Sequence, residues 1–223
     1  MLVLFKFGRE EHLTALRQQG LLHMRTMRYF ADAERENPAR GDRFEGAARI
    51  FQAADIKMTF SHPVIGSHEV DSRDLAGPVI FSYNSEAEQN IFCLSSLTAP
   101  TTTRTLLHEE YLRFGSHFVL VLNTQEIFER IKRVLGPLGL SGRGEPVQYY
   151  DESGYSGEVG PFRKPSRFAY QQEYRIVVRP GQAPFRNLVI GDISDITSPV
   201  LPLSDLDQIV DFSQEAAIAA GIR

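Results

Sequence analysis

Residues 2–27 read LVLFKFGREEHLTALRQQGLLHMRTM, and their periodicity changes twice. Leu2 to Phe7 is a short apolar run interrupted only by Lys6, which reads as a strand rather than a signal peptide, with no basic region before it. Glu10 to Gln19 has helical spacing. Leu13 and Leu16 share a face, acids occupy the first turn, and Gly20 stands where a left-handed cap closes a helix. Leu21 to Met27 then alternates loosely as a second strand. The chain therefore opens strand, short helix, strand.

Further elements follow from the same signals. Asp32 to Gly46 is polar and reads as a loop, with Pro38 and Gly41 in it. Ile50 to Phe60, Val79 to Tyr83 and Ile91 to Leu94 are strand candidates. Pro100 to Thr103 is a break, Leu106 to Phe114 a short helix, and His117 to Leu122 a buried strand. Asn123 precedes a helix, with Glu126 placed for a capping box and Ile127, Ile131, Val134 and Leu135 as its core stripe; Gly136 and Pro137 stop it. Glu173 to Arg179 and Leu188 to Ile190 read as strands, and Leu206 to Ala220 as a C-terminal helix. Interleaved short helices and strands define one α+β domain over residues 1–223. Residues 140–167 carry glycines, Pro146, Pro161, Pro165 and the tyrosines 149, 150 and 155. That composition predicts an irregular lid or partner-binding loop, replaceable by a Gly-Ser linker without loss of folding.

Composition narrows the function classes. A formal net charge of −4, 42% hydrophobic and 23% charged residues are ordinary globular values and exclude wholesale disorder. The single cysteine excludes a disulfide framework and a multi-cysteine zinc site. No apolar run reaches the roughly 18–20 residues of a membrane span, so a soluble, cytoplasmic protein with no membrane partner is expected. The six histidines, His12, His23, His62, His68, His108 and His117, show no metal spacing, and no phosphate-binding or dinucleotide glycine motif is present.

Four constellations could carry chemistry. Gly41-Asp42-Arg43-Phe44-Glu45-Gly46 brackets two acids between glycines, as a ligand-binding loop or as a polar turn. In Tyr170-Gln171-Gln172-Glu173-Tyr174-Arg175, alternation sets Glu173 and Arg175 on one face, with Gln171 beside them if the strand begins early. An arginine beside it holds the carboxylate ionised, fit either to steady a developing cation or to form a structural pair. Lys6 faces a cleft or is a solvated edge residue. Cys93, with His108 downstream, is a nucleophile or plain core.

These motifs together resemble a bacterial family that includes abortive-infection proteins used against phage. The resemblance rests on Lys6 in the first strand; Asp42, Phe44, Glu45 and Gly46, with Arg43 where proline is common; Cys93 and Ser95; and Tyr170, Glu173 and Arg175. The family's Trp/His-Tyr segment is absent, and the chain reads Leu112-Arg113-Phe114-Gly115. The opening and closing segments also resemble the ADP-ribosyltransferase fold, a mixed sheet core with flanking short helices, although Lys6 stands where His or Arg is usual.

That second resemblance, taken with the first, implies a toxin or phage-defence effector using NAD as substrate, without a metal: an ADP-ribosyltransferase or NAD glycohydrolase with an unidentified macromolecular acceptor, protein or nucleic acid. It makes Glu173 and Gln171 catalytic, with Lys6, Tyr29, Phe30 and Arg175 holding the cofactor and Asp42 and Glu45 as loop acids. On this reading Glu173→Gln abolishes activity with little loss of stability. The alternatives are a non-enzymatic module that binds a phage protein or nucleic acid, and a nuclease with a divalent metal on Asp42, Glu45 and Glu173.

Overall fold

A computed structural model describes residues 2–33, 42, 44–97 and 109–206. Arg43, the break at Pro100–Thr103, His108 and residues 207–220 of the expected C-terminal helix lie outside the described residues. The elements begin with β1 (Val3–Gly8), α1 (Glu10–Gln19), β2 (Leu21–Thr26) and α2 (Met27–Ala33). Next come β3 (Ala47–Phe51), β4 (Met58–His62), β5 (Gly66–Val70), β6 (Val79–Ser82), α3 (Asn84–Ala87) and β7 (Asn90–Leu97). β8 (His117–Val121), α4 (Thr124–Leu135), β9 (Ser141–Pro146), β10 (Gln148–Tyr150), β11 (Gly157–Glu158) and β12 (Arg163–Pro165) follow. β13 (Glu173–Arg179), β14 (Phe185–Val189) and β15 (Leu201–Pro202) close the described chain. The architecture is mixed α+β with several antiparallel sheets. No helix among the described residues is long and apolar enough to cross a membrane.

The opening forms as its pattern dictates. Gly20 ends α1 at φ 62°, and a Cβ there would stand 2.1 Å from the Gly191 carbonyl oxygen, so both conformation and space demand glycine. Asn123 caps α4, its Oδ1 accepting from the Glu126 amide at 3.0 Å. The other half of the capping box does not form, because the Glu126 carboxylate turns to Arg130 at 2.9 Å and Arg133 at 2.7 Å.

The main sheet has eight strands in the order β14-β2-β7-β1-β8-β15, with β13 and β9 branching from β7. β13 runs along one edge of β7. The other edge is shared: β1 takes Ser95–Leu97 and β2 takes Asn90 and Ile91, leaving a fork between them. α1 and α4 cover one face through Leu13, Leu16, Ile127, Ile131 and Leu135, packed on Leu4, Leu22, Phe92, Val119 and Ile176. Removing a side chain such as Ile131 from this layer costs about 2–5 kcal/mol. The opposite face carries Phe5 and Phe118 at one end and Met27, Ile91 and Val177 at the other.

Three expectations are corrected. Ile50 to Phe60 is not one strand: β3 ends at Phe51, a 3₁₀ turn intervenes over Ala53–Asp55, and β4 pairs only with β5 in a separate hairpin. The described part of Leu106 to Phe114 is a 3₁₀ turn at Glu109–Arg113. Residues 140–167 are not irregular: β9 pairs with β13 from Ser141 to Pro146, and β10 pairs in parallel with β12. Pro146 is tolerated because it is the last residue of β9, where its missing donor interrupts no central ladder.

Candidate active site

β13 is buried from Glu173 to Val178 and lies against β7, with Glu173 opposite Ser95 and Arg175 opposite Cys93. Opposed residues of a ladder share a face, so Cys93, Ser95, Glu173 and Arg175 point the same way, as does Phe5 opposite Ser95. Onto that face fold Asp42, residues 44–46 and the segment 147–172.

Arg175, fully buried, is the hub. Its Nε donates to Glu173 Oε1 at 2.9 Å, and Nη1 donates to Glu45 Oε1 at 2.6 Å and to the Pro161 carbonyl at 2.7 Å. Nη2 donates to Glu45 Oε2 at 2.7 Å and to Glu173 Oε2 at 3.4 Å. All five guanidinium donors are thus engaged. Lys164, from β12, donates to Gln171 Oε1 at 2.9 Å and Glu173 Oε2 at 3.2 Å, with its ammonium 4.6 Å from the Phe168 ring centroid.

The chain enters β13 through Gln172, a non-glycine residue at φ 41° whose carbonyl accepts from the Ser96 amide and hydroxyl at 2.7 and 2.9 Å. This turn sets Gln171 and Glu173 side by side toward Lys164. Such left-handed strain persists only where the surroundings hold it. The Glu173 amide donates to the Tyr149 hydroxyl at 2.8 Å.

Burial acts on Glu173 by raising its pKa. The charges of Arg175 and Lys164 and the Arg175 hydrogen bonds overcome it and hold the carboxyl far below its ordinary range. Burial, and then the Glu173 carboxylate, push the Cys93 thiol well up, which disfavours the thiolate a nucleophile needs. Asp42 goes the other way from Glu173: burial, and then the Glu45 carboxylate, raise it from 3.8 to about 7 against the pull of the Phe44 amide, Lys164 and Arg175. Its Oδ1 accepts from the Phe44 amide at 3.0 Å, and its own amide donates to the Phe30 carbonyl at 3.1 Å. Arg167 stands 3.9 Å from Asp42 Oδ1 and also pairs with Glu152. The Tyr150 hydroxyl is buried without a hydrogen-bond partner; burial, and then the Asp42 charge, push its pKa up.

The sequence candidates therefore divide. Asp42, Glu45, Gln171, Glu173 and Arg175 converge. Phe30 borders them, packing with Cys93 and Phe162 beside Met27, Ile91 and Val177. Lys6 does not join them. It lies opposite Val119 on the helix-covered face, donates to the Cys93 carbonyl at 2.7 Å across the sheet fork, and sits 4.6 Å from the Phe92 ring centroid. Tyr29 is exposed on α2, its ring edge-on to Phe30 at 5.3 Å between centroids. Lys164 escaped sequence reasoning, and Tyr149, expected in a lid, instead accepts from the Glu173 amide. Nothing local separates Lys164 from Arg163 or Arg167; only its place in β12 turns it inward. The three acids do not bracket an open metal position, since Arg175 fills the space between Glu45 and Glu173. Among the described residues, no group of three or more His, Cys, Asp or Glu is placed to hold a metal ion.

No family model, curated protein or solved structure matches the chain.

Proposed function

We propose that the protein is an NAD-using enzyme of ADP-ribosyltransferase-like architecture, acting as a phage-defence effector. The observation that carries this reading is the opposed protonation of two enclosed carboxyls: Asp42 is poised near neutrality and Glu173 is held ionised. Environments that push two carboxyls apart are how one site supplies both a proton-handling group and a fixed charge.

In this reading the bond between nicotinamide and ribose C1′ breaks, its electron pair leaves on nicotinamide, and nicotinamide departs uncharged. The Glu173 charge steadies the oxocarbenium-like ribose. The acceptor oxygen, from water or a macromolecular hydroxyl, bonds to C1′ and gives its proton to Asp42. Gln171 orients the acceptor. Arg167, 3.9 Å from Asp42 Oδ1, pairs with Glu152 beside it. The test is nicotinamide release from NAD by the wild type and by folded Asp42→Asn. Release that falls at least tenfold in the variant supports the reading. A wild type that neither releases nicotinamide nor is stabilised against heat by NAD overturns it.

A second reading, a non-enzymatic recognition module, is favoured by the complete engagement of Arg175, which suits a keystone holding Asp42, residues 44–46 and the 147–172 segment as one rigid surface. Phage protection that survives Asp42→Asn supports this reading over the first.

A further inference from the structure

Arg25, on β2, lies with its guanidinium carbon 4.6 Å from the Tyr29 ring centroid and 5.4 Å from that of Phe185. Both rings are exposed, Tyr29 at 44% and Phe185 at 36%. His23 follows on the same face, its ring 4.9 Å from Phe185. The register puts Phe185 opposite Arg25 and Asn187 opposite His23, so these four side chains form an open patch on the sheet. Arg28 extends it from α2, its Nη2 donating to Asn84 Oδ1 at 3.0 Å.

Some surface arginines are neutralised in ion pairs and others, Arg179 and Arg186 among them, bond no carboxylate among the described residues. Arg49, Arg73, Arg113 and Arg130 each pair with a carboxylate. Among the described residues neither Arg25 nor Arg28 does. The nearby acids, Asp32 on α2 and Glu88 before β7, are exposed and pair with neither. In a chain of net charge −4, two arginines left to aromatic rings and an amide are cations kept for an outside anion.

We propose that this β2–α2–β14 surface binds single-stranded nucleic acid. Arg25 and Arg28 take backbone phosphates, and Tyr29 and Phe185 offer faces on which bases stack, the combination that tracks a strand without reading its sequence. An acidic peptide would use the arginines and leave the exposed rings without a role; a duplex would hide its bases from them. The proposal does not rest on the NAD reading, whose chemical step uses Asp42, Gln171 and Glu173 and none of these surface residues.

The test is fluorescence anisotropy with labelled oligonucleotides of about 12 nucleotides, deoxythymidine and uridine homopolymers and a duplex of equal length, at about 50 mM salt. The full chain binds the single strands more tightly than the duplex. Phe185→Ala and Tyr29→Ala each weaken binding about tenfold, the scale of one lost base stack. Arg28→Glu, fully on the surface, weakens it and flattens the log–log salt dependence by about one. Thermal melts establish that each variant is folded. No single-strand binding, binding unchanged in folded Phe185→Ala and Arg28→Glu, or equal displacement by polyglutamate overturns the proposal.

Discussion

The guanidinium of Arg175 meets the carboxylate of Glu45 in a two-pronged pair, Nη1 to Oε1 at 2.6 Å and Nη2 to Oε2 at 2.7 Å, across 130 residues of chain. One partner comes from a strand at the centre of the main sheet and the other from the loop before β3. Both side chains are out of water, so the pair fixes the loop against the sheet only while both charges are present. Arg175→Met leaves Glu45 and Glu173 buried with a cation removed, and breaking a buried pair by deleting one partner costs about 3–5 kcal/mol. For a chain of this size that lowers the melting temperature by roughly 10 °C. A thermal melt checks it, and a variant that melts with the wild type would show that the cluster relaxes at little cost.

Glu173→Gln keeps the shape of the side chain, and the sequence alone suggested a stable, inactive protein. The structure changes that expectation. Glu173 is the shared acceptor of Arg175 and Lys164, and Lys164 has a side-chain relative exposure of only 5%. An amide there presents one acceptor and two donors to groups that themselves donate. We expect a loss of several kcal/mol as well as of activity, with Lys164→Met in the same chain recovering part of the stability and none of the activity. Recovery of stability is read by denaturant unfolding, and additive losses would mean that the two residues do not interact.

What was legible in the sequence follows from the range of the interactions. α1 was read to the residue because leucine spacing, first-turn acids and Gly20 are all local. The pairing of Glu173 with Arg175 follows from alternation within one strand. By contrast, the strands between residues 141 and 165 were invisible. Gly142 and Gly144 carry no side-chain pattern, and β9 exists because it lies along β13, thirty residues further on. Lys6 was misplaced for a similar reason: its carbonyl partner is exposed only because β1 and β2 divide one edge of β7, a feature of topology rather than of any short motif. Tyr149 and Tyr150 read as candidates for a lid, but Tyr150 packs with Phe44, Ile50 and Val159 in a small core of its own.

That core also bears on the segment as a whole. Replacing residues 140–167 with a Gly-Ser linker removes the β9 partner of β13, Lys164 from the ion cluster, and the Tyr149 hydroxyl that accepts from the Glu173 amide. Loop-closure entropy changes little, but the lost contacts leave charged and backbone groups of β13 without partners. We expect no cooperative melt from this chain. A folded product that has lost only its activity would restore the segment as a detachable lid.

Asp42 makes the stability of the whole chain depend on pH, with a sign opposite to that of most carboxyls. Its folded value is raised from 3.8 to about 7, chiefly by burial and then by Glu45. Between those values the folded state binds more protons than the unfolded state, so stability from this group is fully present below about pH 4 and falls as pH rises through about 7. Above that point the fold carries a buried negative charge, a penalty on the order of a few kcal/mol. Asp42→Asn keeps an acceptor for the Phe44 amide and removes the charge. The variant therefore melts with the wild type near about pH 4 and several degrees above it near about pH 8.5. If Asp42 is also the proton acceptor of the proposed reaction, the more stable variant is the less active one at neutral pH. Melting curves across pH read the first effect and nicotinamide release the second. Equal melting temperatures for the two chains at about pH 8.5 would show that Arg167, 3.9 Å from Oδ1, already neutralises the buried carboxylate.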